Sequence, residues 1–96
     1  MKESELQTKV IQTCNWYGLR YYHTFDSRHS AAGFPDLVIV GPYGVLFVEL
    51  KGTKGVLSPQ QAAWIDELQV AGSEAMVVRP HDFDDLVLHL KRIAGK

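Results

Sequence analysis

Near the start of the chain, apolar residues recur every three or four positions, which is the spacing of a helix that buries one face. The stripe comprises Leu6, Val10, Cys14 and Tyr17, with Ile11 beside it. Gly18 then favours an end to the helix. The pattern predicts a helix from about Ser4 to Tyr17, and the tyrosine-rich residues 19–25 predict a first strand.

The middle of the chain holds two apolar runs, residues 37–40 and 45–50, on either side of the turn Gly41-Pro42-Tyr43-Gly44. Before them, the small, polar and charged residues 26–33 predict a loop. Consecutive positions in both runs are apolar, so both faces of the predicted hairpin are hydrophobic. We therefore expect a sheet that is covered on both faces, as in layered α/β domains.

The second half of the chain predicts a helix, a short strand and a final helix. Ser58 and Pro59 are typical of an N-cap followed by the first helical position, and that helix is expected to end at Gly72. Residues 75–78 form an apolar strand, and the last helix begins near Asp82. The order α-β-β-β-α-β-α predicts one α/β domain over residues 1–96, with a central mixed sheet flanked by helices. The last strand is expected to be parallel to its neighbour through a helical crossover.

Each apolar run carries a charge where a buried strand normally has none. With Pro42 and Tyr43 at the turn centre, Asp36 lies directly opposite Glu49, with Cβ atoms roughly 5 Å apart. Lys51 is two residues beyond Glu49 and projects on the same face. A salt-bridge cluster is the structural alternative, but one lysine neutralises one acid and leaves the second carboxylate unpaired.

Two opposed carboxylates beside a lysine are typical of a site for a hard divalent cation. Asp36 and Glu49 offer oxygen ligands for Mg²⁺ or Mn²⁺, and the backbone carbonyl of Leu50 is a third candidate ligand. Such an ion activates water and neutralises charge on a phosphodiester, while Lys51 orients the attacking water or stabilises the transition state. Zinc is disfavoured because no histidine or cysteine lies beside the acids. The predicted chemistry is metal-assisted hydrolysis of a phosphodiester.

Composition narrows the class of protein without adding to the chemistry. The chain has 96 residues, of which 46% are hydrophobic, as in an ordinary globular domain. Its net charge of −1 gives no overall support to nucleic-acid binding, which must then rest on local features. The one cysteine excludes an intrachain disulfide and fits a reducing compartment. The polar start predicts no signal peptide, and no apolar run is long enough to span a membrane.

Pro35-Asp36 followed by Glu49-Leu50-Lys51 resembles the signature of the PD-(D/E)XK nucleases. With Gly33-Phe34 before it and Ser58-Pro59-Gln60-Gln61 after it, the sequence is similar to stand-alone VRR-NUC domains of phages and bacteria. The resemblance covers nearly the whole chain, to about Phe83. It implies a restriction-endonuclease-like fold and a DNA endonuclease that depends on Mg²⁺ or Mn²⁺. It also implies a preference for branched DNA such as four-way (Holliday) junctions, a homodimer, and the cytoplasm of a bacterium or a phage-infected host.

The first helix departs from the pattern that the resemblance implies. The family usually has an acid there, pointing at the metal, and the matching position in this chain is Gln7. A glutamine can hold a metal-bound water but contributes no charge. Glu3, one turn earlier on the same helical face, is the alternative. Residues 4–7 also fit a capping box, which would give Gln7 a structural role instead.

Other candidate residues each have two interpretations. Gln61 matches the family glutamine that follows the lysine, but it is also the third position of a capping box that starts at Ser58. Arg28 and His29, in the loop before Gly33, and Lys54, after the second strand, are candidate contacts to DNA phosphates or else ordinary solvated residues. Gly33 is predicted to let the backbone pass close to the metal site.

Aromatic residues and two rival functions complete the sequence-based predictions. Several aromatic residues exceed what so small a core can bury, so some are candidates for a dimer surface: Trp16, Trp64, Tyr17, Tyr21 and Tyr22.

One rival to the nuclease function is a DNA-binding module without activity, favoured by Gln7 and the acidic pI. The other is a metal-dependent hydrolase of RNA or a nucleotide. The chain lacks a glycine-rich phosphate loop, so no nucleotide cofactor is expected.

Overall fold

The computed structural model describes residues 1–24 and 31–96. In chain order the elements are α1 (Glu3–Trp16), β1 (Arg20–His23), β2 (Leu37–Gly41), β3 (Gly44–Leu50), α2 (Pro59–Val70), β4 (Glu74–Val78), a 3-10 turn (Pro80–Asp82) and α3 (Phe83–Ala94). The predicted α/β class and element order are confirmed. None of the helices in the described ranges is long and apolar enough to cross a membrane.

The four strands form one mixed sheet in the order β1-β2-β3-β4. The first three are antiparallel, whereas β4 is parallel to β3 and is reached through α2. Leu37 pairs with Val48 and Gly41 pairs with Gly44, which is the register predicted from a turn centred on Pro42 and Tyr43. This register fixes which side chains share a face, because facing residues in an antiparallel pair point the same way.

Helices α1 and α3 cover one face of the sheet and form the main core with it. The core side chains are buried and apolar: Leu6, Val10, Cys14, Leu37, Ile39, Leu46, Val48, Leu50, Leu86, Leu90 and Ile93. They come from the helical stripe of α1, from alternate positions of β2 and β3, and from the apolar side of α3. Burial raises the pKa of the Cys14 thiol to about 11, so it stays protonated and unreactive.

The opposite face is covered only in part within one chain. Helix α2 packs on this side against β4 and β3, where Ile65 is buried. Towards β1 and β2 the same face is open, since Tyr22 is 61% exposed, Val40 41% and Val45 40%. Both faces therefore carry helices, as predicted, although α2, with 12 residues, leaves part of its face open towards β1 and β2.

Helix α1 begins earlier than predicted. Its N-cap is Lys2, whose backbone N–H donates to Oε1 of Glu5 at 3.2 Å. Ser4 lies inside the helix, so the capping box predicted for residues 4–7 is wrong. The first turn contains Glu3 and Glu5, and acidic side chains are favourable near the positive end of the helix dipole.

Candidate active site

The β2–β3 hairpin brings the two predicted acids together at one end of the sheet. Asp36 immediately precedes β2, and its Oδ2 accepts a hydrogen bond of 2.8 Å from the backbone N–H of Leu50. Its carbonyl accepts a second bond, of 3.0 Å, from the backbone N–H of Thr24. Asp36 is thus tied to β3 and to the residue after β1. Leu50 contributes its backbone N–H to this arrangement, while a ligand role for its carbonyl stays a prediction.

Glu49 is a buried carboxylate with an unsatisfied oxygen. The residue is 1% exposed, and its Oε1 has no hydrogen-bond partner among the described residues. Burial and the nearby charge of Asp36 raise the pKa of Glu49 to about 8, although Lys51 acts in the opposite direction. A buried carboxylate with an unpaired oxygen is costly. The site therefore favours a proton or a cation at this position.

Lys51 lies over Glu49, on the face predicted from their spacing. Its Nζ is 3.6 Å from Oε2 of Glu49, and its side chain is 11% exposed. The backbone of Gly55 packs against its aliphatic part, since a Cβ at Gly55 would lie 3.2 Å from Cδ of Lys51. A long side chain held in this way presents its ammonium group at a fixed place beside the acids.

Gln61 forms the predicted capping box and also contacts Glu49, while its role in catalysis stays a prediction. Its Oε1 accepts a 2.9 Å bond from the backbone N–H of Ser58. The backbone N–H of Gln61 donates to Oγ of Ser58 at 3.1 Å, which completes a capping box. The side-chain amide also donates to Oε2 of Glu49 at 3.0 Å. The N-terminus of α2 is thereby connected directly to the buried carboxylate.

Helix α1 contributes Glu3 to the electrostatics of the site. The pKa of Glu3 is raised by burial and by the charge of Asp36, and is lowered by Lys51. Gln7, one turn later, lines a surface hollow with Ile11 and with Tyr21 of β1. Glu3 thus interacts with the charges of the site, while its role as the acid from α1 stays a prediction. A role for Gln7 at the metal stays a prediction.

The segment that leads into Asp36 is held by α2. Nε1 of Trp64 donates to the carbonyl of Ala32 at 3.1 Å, and the Trp64 ring meets Phe34 edge-on with centroids 5.1 Å apart. Gly33 has φ +85°, and a Cβ there would lie 2.5 Å from the backbone of Gln60. The close approach made by Gly33 is therefore to α2. The conformation of Gly33 is explained by this contact with α2, and its predicted approach to a metal stays a prediction.

Replacing Gly33 by alanine is expected to destabilise the protein by about 2–4 kcal/mol, since a positive φ is combined with a clash against backbone. Gly72 is a matched control, because it also has a positive φ of +93° but has no atom within 4 Å of a built Cβ. Urea unfolding of both variants measures the difference. Equal losses of stability in the two would contradict a steric role for Gly33.

A family model describes most of the chain. The model of the VRR-NUC domain matches residues 2–82. The chain belongs to the VRR-NUC domain family. The resemblance inferred from the motif is thereby confirmed, and all the site residues described above lie within the matched range.

Curated relatives of this VRR-NUC domain carry the name Fanconi-associated nuclease 1. The proteins from Ailuropoda melanoleuca and Homo sapiens are each 43% identical over 54 residues, which is 54% of this chain but 5% of the relative. The chain thus spans a small part of the length of these relatives.

Solved structures share the fold. A VRR_NUC domain protein has a TM-score of 0.69 at 23% identity, covering 99% of this chain and 89% of its own. A Holliday junction resolvase, Hjc of Archaeoglobus fulgidus, has a TM-score of 0.57 at 21% identity, covering 79% of this chain and 67% of its own. The restriction-endonuclease-like architecture is therefore shared with both.

The residues present fit the divalent cation that the resemblance implies. The buried Oε1 of Glu49 lacks a hydrogen-bond partner within residues 1–24 and 31–96, and Asp36 presents a second carboxylate nearby. Across residues 1–24 and 31–96, no three acid, histidine or cysteine side chains converge as a preformed metal cage. Mg²⁺ is commonly bound by one or two carboxylates, with waters and substrate phosphate completing its shell. Two acids are therefore a sufficient protein contribution.

The structure describes one of the three residues that were predicted to contact DNA. Arg28 and His29 lie outside the described residues. Lys54 is exposed in the loop after β3, three residues from Lys51. It borders a surface hollow with Lys2 and Glu3, next to the N-terminus of α1. Its role as a phosphate contact stays a prediction.

Proposed function

We propose that this VRR-NUC domain is a DNA endonuclease that hydrolyses phosphodiester bonds with the aid of Mg²⁺ or Mn²⁺. The observation that carries the proposal is the buried carboxylate oxygen of Glu49 that has no partner in the described part of the chain, opposed to Asp36 and beside Lys51. A salt bridge alone leaves one of these two acids unpaired, whereas a divalent cation satisfies both. Family membership and the nuclease names of the relatives support the same activity.

Each residue has a distinct proposed role. Asp36 and Glu49 hold the cation, with the Leu50 carbonyl as a further ligand. When bound, the cation supplies a Lewis acid that activates water and neutralises charge on the scissile phosphate. Lys51 places a positive charge where negative charge develops on the phosphate in the transition state. Gln61 fixes the orientation of Glu49 through its amide.

Branched DNA is the proposed substrate, with two copies of the chain acting together. The resemblance to junction-cleaving nucleases and the shared fold with an archaeal Holliday junction resolvase support this choice. A two-fold dimer presents one active site to each of two paired strands. The open sheet face of Tyr22, Val40 and Val45 is the proposed contact between copies, because it is apolar and exposed.

The activity is tested by incubating the protein with a labelled four-way junction, a linear duplex and a single strand, in Mg²⁺, Mn²⁺ or EDTA. We expect junction cleavage that needs the metal and is lost in Asp36→Asn. Cleavage that survives both EDTA and Asp36→Asn would overturn the metal mechanism. Equal cleavage of all three DNAs would remove the preference for branched DNA. Binding of the junction without cleavage would favour the inactive DNA-binding module.

The dimer is tested by placing a charge on the open sheet face. Val45→Glu is expected to convert a dimer to a monomer in size-exclusion chromatography with light scattering, because a desolvated carboxylate is costly in an apolar contact. Leu88→Glu is the control, since Leu88 is exposed on α3, which covers the opposite face of the sheet. A wild-type monomer at micromolar concentration, or a Val45→Glu dimer, would contradict the proposed interface.

A further inference from the structure

Arg79, at the end of β4, holds the turn that follows Lys51. Its Nη1 donates to the carbonyl of Gly55 at 2.8 Å and to the carbonyl of Gly52 at 3.1 Å. The turn is closed by a bond of 3.2 Å from the N–H of Gly55 to the carbonyl of Gly52. One guanidinium group therefore binds both ends of this turn. Carbonyls that accept from a charged donor are held more firmly than those that face water.

The turn in turn contacts two groups of the active site. Gly55 packs on the aliphatic part of Lys51, at the 3.2 Å spacing described above. Gly52 is buried against the start of α1, where a Cβ would lie 2.9 Å from the backbone N of Glu3. Movement of the turn would therefore shift Lys51. It would also loosen the packing of Gly52 against α1. Neither effect requires Arg79 to touch the substrate.

Arg79 is itself fixed by its surroundings. Its backbone N–H donates to Oδ2 of Asp82 at 2.9 Å, and the carbonyl of the preceding Val78 accepts from the backbone N–H of Lys51 at 3.0 Å. Arg79 thus directly follows the residue of β4 that is hydrogen-bonded to the backbone of Lys51. Its side chain closes a loop of contacts that runs from β4, across the turn, and back to Lys51.

We propose that Arg79 is a positioning residue of the nuclease site, which acts on Lys51 by holding the Gly52–Gly55 turn. The inference rests on the proposed function. Arg79 lies outside the sequence motif of the site, and nothing in the family match assigns it a role. A lysine keeps the charge but lacks the planar fork, so it restores only part of the effect.

The test compares Arg79→Met and Arg79→Lys with the control Arg92→Met, which removes an arginine of α3 that pairs with Glu74 of β4. On junction DNA, we expect Arg79→Met to lower kcat roughly 10- to 100-fold with little change in KM, since misplacement of a catalytic group lowers the rate of chemistry. Arg79→Lys should recover part of that loss, and Arg92→Met should retain wild-type kcat. A loss confined to KM, or an equal loss in Arg92→Met, would overturn the inference.

Amide hydrogen exchange separates failure of this inference from failure of the proposed function. In Arg79→Met we expect at least roughly tenfold faster exchange at Thr53 and Gly55, with Leu90 in α3 unchanged. Unchanged exchange in the turn would overturn the inference even if cleavage fell. If the wild-type protein cleaves no DNA, the proposed function fails, and the exchange result alone decides whether Arg79 holds the turn. Should Arg79→Met fail to fold, Arg79→Lys gives the same comparison.

Discussion

Replacing Glu49 by glutamine is expected to make the metal-free protein more stable at pH 8 while removing its response to Mn²⁺. The wild-type protein buries a carboxyl whose pKa is raised to about 8 by burial and by Asp36. Glutamine has nearly the same shape and can still accept the amide of Gln61, but it carries no charge to bury. The substitution therefore removes the electrostatic cost of burying the Glu49 carboxylate.

The pH dependence follows from the direction of this shift. Below about pH 4.5, the Glu49 carboxyl is protonated in both the folded and unfolded states, so its contribution to stability is fully present. Between about 4.5 and 8 the unfolded state loses the proton while the folded state keeps it, so stability falls as pH rises. The loss is on the order of a few kcal/mol by pH 8. Glu3, whose pKa is also raised, acts in the same direction in both proteins.

Thermal unfolding at pH 5 and pH 8, in EDTA and in Mn²⁺, measures this expectation. At pH 8 in EDTA, Glu49→Gln should unfold roughly 5–15 °C above wild type, and the gap should shrink at pH 5. Mn²⁺ should raise the Tm of wild type but not of the variant. Glu67→Gln, at an exposed position of α2, is the matched control. A destabilised Glu49→Gln protein at pH 8 would show that the ionised carboxylate is not costly in the fold.

Replacing Lys51 by methionine is expected to lower kcat for junction cleavage at least about 100-fold, while the Mn²⁺-induced rise in Tm persists. Methionine retains the apolar contact with Gly55 but removes the ammonium group that lies beside Glu49. The acids proposed to hold the cation are unchanged, so cation binding should survive and can even tighten. The loss is therefore expected in chemistry rather than in cofactor binding.

Lys54→Met provides the comparison, because Lys54 is the nearby lysine predicted to contact DNA phosphate. It should raise KM and reduce the salt dependence of binding without a comparable loss of kcat. Lys91→Met, on α3 at the other side of the sheet, should leave both parameters close to wild type. Single-turnover cleavage at saturating enzyme isolates the chemical step. A Lys51→Met protein with wild-type single-turnover rate would remove Lys51 from the proposed chemistry.

The sequence predicted those parts of the site that depend on local pairing. The hairpin has a two-residue turn, and this turn alone defines a register in which Asp36 lies beside Glu49. Ser58 and Pro59 marked the start of α2 for similar local reasons. These features depend on residues close in sequence, for which periodicity and capping rules are strong constraints.

The remaining features depend on how distant elements dock. The choice between Glu3 and Gln7 depends on the position of α1 along its own axis, because the two residues lie one turn apart on the same helical face. Arg79 binds backbone carbonyls, and every residue offers such an acceptor, so its partners leave no pattern in the sequence. The start of α1 was predicted one residue late, because its N-cap is Lys2, an unusual capping residue whose backbone N–H donates to Glu5.

The double role of Gln61 restricts which isostere the chain can carry there. A capping box accepts glutamate or glutamine at its third position, since either one offers an oxygen to the N-cap N–H. Here the other half of the side chain must donate to Glu49, and a glutamate would present a second negative oxygen to a buried carboxylate instead. A one-atom exchange of nitrogen for oxygen would therefore be acceptable to the helix and incompatible with the neighbouring strand.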